Sequence, residues 1–241
     1  ILLHKGKAIY GVVCVITWDS TWGSECREVH QKAAVLCRIQ ARLQLFTTWK
    51  ISQKNLLFEE QHLERLRKAS RYFAFPFEAE DLKQKIEEEC QACDANQDYR
   101  LRISLSKSGE IKLSRQALIP LSPSFCQSKL CLQEVNLQQA FTYFKTTHRP
   151  HLSLGEQEKI YHNKSGELLE TSIGNLVLKI SGKLYTSPVR LGILPGIYRQ
   201  YLLETGQVEE KVLTLADLAQ AEAIYGCNAV RGLYELILQE K

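Results

Sequence analysis

Lys145 stands alone between an aromatic pair, Tyr143-Phe144, and the run Thr146-Thr147-His148-Arg149. A lysine amine is protonated near neutral pH, and it becomes a nucleophile only where burial or a nearby cation lowers its pKa. The aromatic pair favours partial burial, and Arg149 brings a cation close in sequence. Schiff-base chemistry on a carbonyl is what such an amine serves. By spacing alone, however, a single lysine reads as a solvated surface charge. Further groups follow the same double reading. Glu170 and Asn175 flank a turn in Leu169-Glu170-Thr171-Ser172-Ile173-Gly174-Asn175, and by itself Glu170 is an exposed strand-end acid. Gly196-Ile197-Tyr198 opens a helix just after Pro195, where free amides suit an anion. Arg65, in His62-Leu63-Glu64-Arg65-Leu66, is by spacing a helix-surface cation.

These residues need elements to carry them. Residues 43–51 alternate as a strand, and residues 55–58 form a second one after the turn at Ser52-Gln53-Lys54. Residues 59–75 are a helix with the apolar stripe Leu63, Leu66, Ala69 and Phe73, stopped by Pro76. A helix over 80–93 and a hairpin of residues 99–105 and 110–113 around Lys107-Ser108-Gly109 complete an α+β unit. Pro120-Leu121-Ser122-Pro123 marks a linker. Beyond it, strands are expected at 129–137, 159–162, 167–171, 175–180, 183–186, 208–213, 222–228 and 233–238. Helices are expected at 197–205 and 215–221, the latter with Thr214 as N-cap. Ahead of all this, residues 9–18 are a β-rich run and residues 25–44 an amphipathic helix.

The chain has 241 residues, 44% of them hydrophobic, and a net charge of +4. That length buries the core of one large or two small domains. The charge excess is small and dispersed, so neither a nucleic-acid nor a membrane surface is expected. No apolar run reaches the ~18–20 residues of a membrane span, and the start lacks a signal-peptide pattern. The sequence contains no methionine, which reads as a fragment or an excised segment. Its eight cysteines lie among predicted helices and strands, as buried thiols of a reducing compartment do, and a cytoplasmic location is expected. Cys90-x-x-Cys93 has no second pair or histidine pair beside it, so no metal site is expected.

Taken in order, Phe144-Lys145-Thr146-Thr147-His148-Arg149, Leu169 to Asn175, Gly192-Ile193-Leu194-Pro195-Gly196-Ile197-Tyr198-Arg199, Cys227-Asn228-Ala229-Val230 and His62 to Leu66 resemble the fold type IV pyridoxal-phosphate (PLP) enzymes. These are the class-IV aminotransferase and aminodeoxychorismate lyase group, and the resemblance runs over residues 42–241. It implies an α+β, two-domain, D-amino-acid aminotransferase-like fold, with a small domain over 41–122 and a larger PLP-binding domain over 123–241. It implies that Lys145 binds PLP and moves protons at the substrate α-carbon. Glu170 would keep the pyridine nitrogen protonated, which makes PLP an effective electron sink. Asn175 completes that motif. Gly196, Ile197, Tyr198, Asn228 and Ala229 would form the phosphate cup, with Arg65 holding the phosphate from the other side. Phe46-Thr47-Thr48 looks like the Phe-Thr-Thr of aminodeoxychorismate lyases, which places Thr48 near the cofactor. Lys50, Arg149 and Arg231 are candidates for a substrate carboxylate. Family members also pair as homodimers.

Residues 1–40 carry a second resemblance, to the C-terminal end of a chorismate-utilising synthase component I: Tyr10-Gly11, then Ile16-Thr17-Trp18-Asp19-Ser20, then a helix. Val13, Cys14 and Val15 stand where that family has glycines, so the segment reads as a strand-helix remnant without synthase chemistry. Synthase and lyase act in sequence, and a fused pair passes product from one site to the next. In a full-length fusion a glutamine amidotransferase would be a partner. The resemblance therefore implies a PLP-dependent lyase that eliminates pyruvate from 4-amino-4-deoxychorismate to give 4-aminobenzoate, the folate precursor. The alternatives are a transaminase of branched-chain or D-amino acids and a non-catalytic remnant.

Overall fold

The computed structural model describes residues 2–4, 7–9, 11–37, 43–133, 137, 140–149, 151–153 and 155–239. The chain divides into two compact units, residues 1–42 and residues 43–241. In the first, β1 (Leu2–His4) and β2 (Lys7–Ile9) form an antiparallel pair, and α1 spans Trp22–Cys37. The β-rich run expected over residues 9–18 is not a strand beyond Ile9 among the described residues. A strand needs a partner ladder to satisfy its backbone, and this stretch pairs with none. Its apolar side chains stay in solvent: Trp18 is 105% and Val13 79% exposed. The helix begins at Trp22, three residues before the expected start, because Thr21 accepts the first turn's amides of Ser24 and Glu25 on its carbonyl. The expected end of this helix, residues 38–44, falls largely outside the described residues.

The second unit holds two sheets. The first runs β4-β3-β5-β6, with β3 at Leu45–Ser52, β4 at Asn55–Leu56, β5 at Tyr99–Leu105 and β6 at Ile111–Ala117. Along β3 burial alternates strictly, as a half-buried strand demands. Leu45, Thr47, Trp49 and Ile51 face α2 (Glu59–Phe73) and α3 (Ala79–Gln91), whose Leu63, Leu66, Ala69, Leu82 and Ile86 close the core. Phe46, Thr48 and Lys50 point the other way. The expected strand over 55–58 stops at Leu56, because Phe58 adopts a left-handed conformation (φ 58°) and starts α2.

The second sheet runs β12-β11-β10-β13-β14-β7-β8-β9. Its strands are β7 (Gln127–Leu132), β8 (Lys159–His162), β9 (Leu168–Thr171), β10 (Asn175–Ile180), β11 (Lys183–Thr186), β12 (Glu209–Glu210), β13 (Ala223–Asn228) and β14 (Gly232–Leu238). Strand β7 follows a short helix, α4 (Pro123–Cys126), where the linker had been expected, capped by the Ser122 side chain on the Phe125 amide. The strand expected over 208–213 shrinks to β12. Strand β9 returns to pair with β10 through Glu170 and Asn175, so six of the strands close on themselves at that point. Helices α5 (Ile197–Glu204) and α6 (Leu215–Gln220) pack outside, α6 with a Thr214/Asp217 capping box.

The loop that carries Lys145 is held by the first sheet. The Phe46 amide donates to the Lys145 carbonyl at 3.1 Å and the Thr147 amide to the Gln44 carbonyl at 2.9 Å. Phe144 packs on Tyr72 and Phe73 near the end of α2, with ring centroids 4.7 and 5.3 Å away. Aromatic contacts and two ladder bonds therefore fix the lysine's backbone to β3 and α2.

Candidate active site

A cavity of about 540 Å³ opens between the two sheets. Strand β3 contributes Thr48, α2 contributes Arg65, and the loop on β3 contributes Lys145 and Arg149. The β9–β10 closure contributes Glu170 and Asn175. The start of α5 brings Gly196 and Ile197, and the turn after β13 brings Asn228, Ala229 and Arg231. Residues separated by up to 183 positions thus meet on one surface. Two of the expected residues stand apart from the lining. Lys50 is ion-paired with Asp98 at 2.6 Å. The Tyr198 ring lies against Phe58 and Tyr201.

Electrostatics inside the cavity are one-sided. Arg65, Arg100, Arg102, Arg149, Arg231 and Lys145 line it against one carboxylate, Glu170. Burial, then repulsion from Arg65 and Arg149, depresses the Lys145 amine well below the ordinary lysine value, while Glu170 pulls the other way. The amine lies 5.2 Å from the Phe46 ring centroid. Burial and the neighbouring cations both favour the neutral amine, the form that attacks a carbonyl.

Glu170 is 2% exposed. Its Oε1 accepts from Arg149 Nη2 at 3.0 Å and its Oε2 from the Leu194 amide at 3.3 Å. Burial raises its pKa, against the pull of Arg149 and the Leu194 amide. Arg149 is therefore the counter-ion of Glu170. Asn175 Nδ2 donates to the Leu194 carbonyl at 2.9 Å, and a Cβ on Gly196 would lie 1.9 Å from Asn175 Oδ1. Only glycine lets the start of α5 come so close. Asn228 Oδ1 accepts from the Val230 and Arg231 amides, both at 3.0 Å, and so shapes the turn after β13.

Arg65 is a different case. Its Nη2 donates to Thr47 Oγ1 at 2.6 Å and lies 3.2 Å from His62 Nδ1. Thr47 Oγ1 is in turn 2.6 Å from His62 Nδ1. Burial, then Arg65 and Lys145, push the His62 pKa well below its usual value, so the ring is neutral. Its Nδ1 can then accept from the Thr47 hydroxyl, leaving the Thr47 oxygen free to accept from Arg65. No carboxylate among the described residues pairs with Arg65, and its Nε is shielded with no partner. Its pKa is lowered to about 10 by burial and by Arg149, so it remains a cation. A shielded cation held only by neutral groups is energetically incomplete and calls for an anion. The same cavity is lined by Gly196 and Ile197 at the α5 start, where a helix leaves its first amides without intrahelical partners. These features fit the phosphate of PLP, and Lys145 and Glu170 fit its aldehyde and its ring nitrogen.

Sequence reasoning missed four residues of this site. Arg100 and Arg102 sit on β5 opposite Lys50 and Thr48, and Arg102 lies over the Phe46 ring at 4.0 Å. The Arg-x-Arg spacing, which puts both on one face of a strand, was the available signal. Thr47 and His62 stand inside the Phe46-Thr47-Thr48 and His62-Leu63-Glu64-Arg65-Leu66 motifs, but their sequence position assigns neither a role of its own. Among the described residues no group of histidine, cysteine and acidic side chains could hold a metal ion. Cys90 and Cys93 are buried free thiols. No helix of the described residues is long and apolar enough to cross a membrane.

The model of the aminotransferase class IV family matches residues 44–236, and the chain belongs to that family. It is similar to the aminodeoxychorismate lyase of Saccharomyces cerevisiae, at 24% identity over 90% of this chain and 74% of the yeast protein. Among solved structures it resembles a Legionella pneumophila protein assigned as a 4-amino-4-deoxychorismate lyase (20% identity, 81% and 82% of the two chains, TM-score 0.66). It also resembles the PLP-bound form of a hypothetical aminotransferase from Mycobacterium tuberculosis (16% identity, 85% and 84%, TM-score 0.69). The α+β fold is that of the class IV aminotransferases, and the family implies a PLP-dependent enzyme.

Proposed function

We propose that this chain is a 4-amino-4-deoxychorismate lyase, releasing pyruvate and 4-aminobenzoate. The observation that carries the reading is the arginine-lined cavity around a buried, depressed Lys145 amine. The substrate is a dicarboxylate, and with Arg65 and Arg149 engaged elsewhere, Arg100, Arg102 and Arg231 are three further cations at that cavity. Similarity to the yeast lyase supports the same reading.

PLP, when bound, supplies an electron sink conjugated to the substrate α-carbon. Arg65, the amides at Gly196 and Ile197, and the turn at Asn228 and Ala229 hold its phosphate. Glu170, steadied by Arg149 and the Leu194 amide, holds a proton at the ring nitrogen. Lys145 Nζ, its pKa lowered by burial, takes a proton from the substrate carbon that bears the amine and delivers it to the enolpyruvyl group as that group's C–O bond to the ring breaks, so that the leaving group departs as pyruvate. Arg102 and Arg231 orient the substrate carboxylates, and Thr48 offers a hydroxyl on the same wall. Lys50 is tied to Asp98 and takes no part. We read residues 1–40 as a remnant of synthase component I without synthase chemistry. The active form is a homodimer.

Transamination is the second reading. The site has the amine, the acid and the anion cup that such a reaction also uses, and the family includes transaminases. One assay separates the two. Purified protein is supplied with PLP and aminodeoxychorismate, or with amino-acid and keto-acid pairs, and 4-aminobenzoate, pyruvate and new amino acid are measured. The lyase reading expects 4-aminobenzoate and pyruvate in equal amounts. Transamination without 4-aminobenzoate would overturn it.

A further inference from the structure

Glu158, at the end of the loop that enters β8, is 0% exposed and lies outside the cavity lining. A buried carboxylate is costly unless its oxygens are satisfied. Its Oε1 accepts from the Ile173 amide at 3.2 Å, and its Oε2 accepts from the Tyr234 hydroxyl at 3.4 Å. Ile173 sits in the turn 171–174, which joins β9 to β10 and so carries Glu170 at one end and Asn175 at the other. The same turn reaches the second strand-end pair, because Asn228 Nδ2 donates to the Ile173 carbonyl at 3.4 Å. The turn lies flat on β13 and β14: a Cβ at Gly174 would stand 2.5 Å from the Cys227 carbonyl oxygen and 3.0 Å from the Tyr234 hydroxyl. Thr171 Oγ1 accepts from the Gly174 amide at 3.1 Å, and Ser172 Oγ accepts from the Lys159 amide at 3.0 Å. The Ile173 amide has no strand partner, and Glu158 is the group that takes it.

We infer that Glu158 is a positioning residue for the cofactor site: anchored by Tyr234, its carboxylate fixes the 171–174 turn and thereby the aim of Glu170 and Asn228. This rests on the PLP reading of the cavity. Glu158 touches nothing that reacts. Its effect passes through the turn, whose Ile173 amide it accepts.

Three variants test it. Glu158→Leu keeps the bulk and removes the acceptor, which strands a buried amide. Glu158→Gln keeps an acceptor for Ile173, and the Tyr234 hydroxyl can rotate to accept from the new amide. Tyr234→Phe removes only the far anchor and stays folded if the leucine variant does not. Hydrogen exchange over residues 171–175 is measured on protein without PLP, and PLP affinity by absorbance titration. The leucine variant is expected to speed exchange and to weaken PLP binding about 10-fold or more. The phenylalanine variant should shift both in the same direction by about 3-fold, and the glutamine variant should stay within about 2-fold of the parent. Exchange and affinity unchanged in the leucine variant, or in the phenylalanine variant if that alone folds, would overturn the inference. So would a glutamine variant as impaired as the leucine one, since the charge and not the turn would then matter. Should the parent protein fail to bind PLP, the cofactor reading fails, and the exchange comparison alone still decides whether Glu158 holds the turn.

Discussion

The two walls of the cavity treat their polar groups in opposite ways. On the wall built by β9, β10 and the turn after β13, the acids and amides are paired: Glu170 with Arg149 and the Leu194 amide, Asn175 with the Leu194 carbonyl, Asn228 with two amides. On the wall built by β3, α2 and the loop that carries Lys145, His62 Nε2, Arg65 Nε and Arg149 Nε are shielded without a partner. The first wall is organised before any ligand arrives. The second holds an excess of positive charge over neutral supports, which an anion would complete. A site of this kind keeps its acid aimed while its cation drives binding.

The largest effect is expected at Lys145. Lys145→Met should abolish turnover with every substrate and raise the melting temperature of the ligand-free protein. The sign follows from proton counting. The depressed amine binds fewer protons folded than unfolded, so the penalty is fullest below the folded pKa and fades as pH rises towards the unfolded value. The gain in stability of the methionine variant should therefore shrink with rising pH. A gain that does not change between neutral and alkaline pH would show that the amine is not desolvated.

Next comes the paired wall. Glu170→Gln should keep PLP binding and slow the reaction about 10–100-fold, the equivalent of a lost charge-assisted bond of ~1.5–3 kcal/mol. Single-turnover rates would reveal it, and an unchanged rate would place Glu170 outside the chemistry. Arg65→Met, on the unpaired wall, should weaken PLP and inorganic phosphate alike, by roughly 10-fold, yet leave the ligand-free protein as stable as before or more so. Removing an unneutralised buried cation costs the fold nothing. A fall in ligand-free stability would mean that its bonds to Thr47 and His62 outweigh the cost of burying the charge. The smallest effect belongs to Thr47→Val, which deletes the hydroxyl between Arg65 and His62. It should weaken phosphate binding by about 5-fold, near 1 kcal/mol, and leave the single-turnover rate at saturating PLP unchanged. A slower rate at saturation would tie Thr47 to the chemistry.

Much of the second unit was legible in advance. Helix α2 follows from its apolar stripe, the β5–β6 hairpin from alternation around Gly109, and α6 from Thr214, because each is set by residues near one another in the chain. The irregular stretch over residues 11–18 was not legible. Its residues favour a strand, but a strand exists only with a neighbour to pair with, and local propensity carries no information about whether that neighbour is present.

The site divides along the same line. Sequence alone determined which residue types are available and where: a lysine behind an aromatic pair, an acid and an asparagine bracketing a short turn, and glycine where α5 begins. The tertiary structure decided which of them meet. It set Arg149 against Glu170, tied Lys50 to Asp98, brought Arg100 and Arg102 to the cavity, and placed Glu158 under the Ile173 amide. The physical reason is that charge and hydrogen bonding act over a few ångströms of space. The partners in these cases lie on different strands or loops, so register and sheet closure determine their distances.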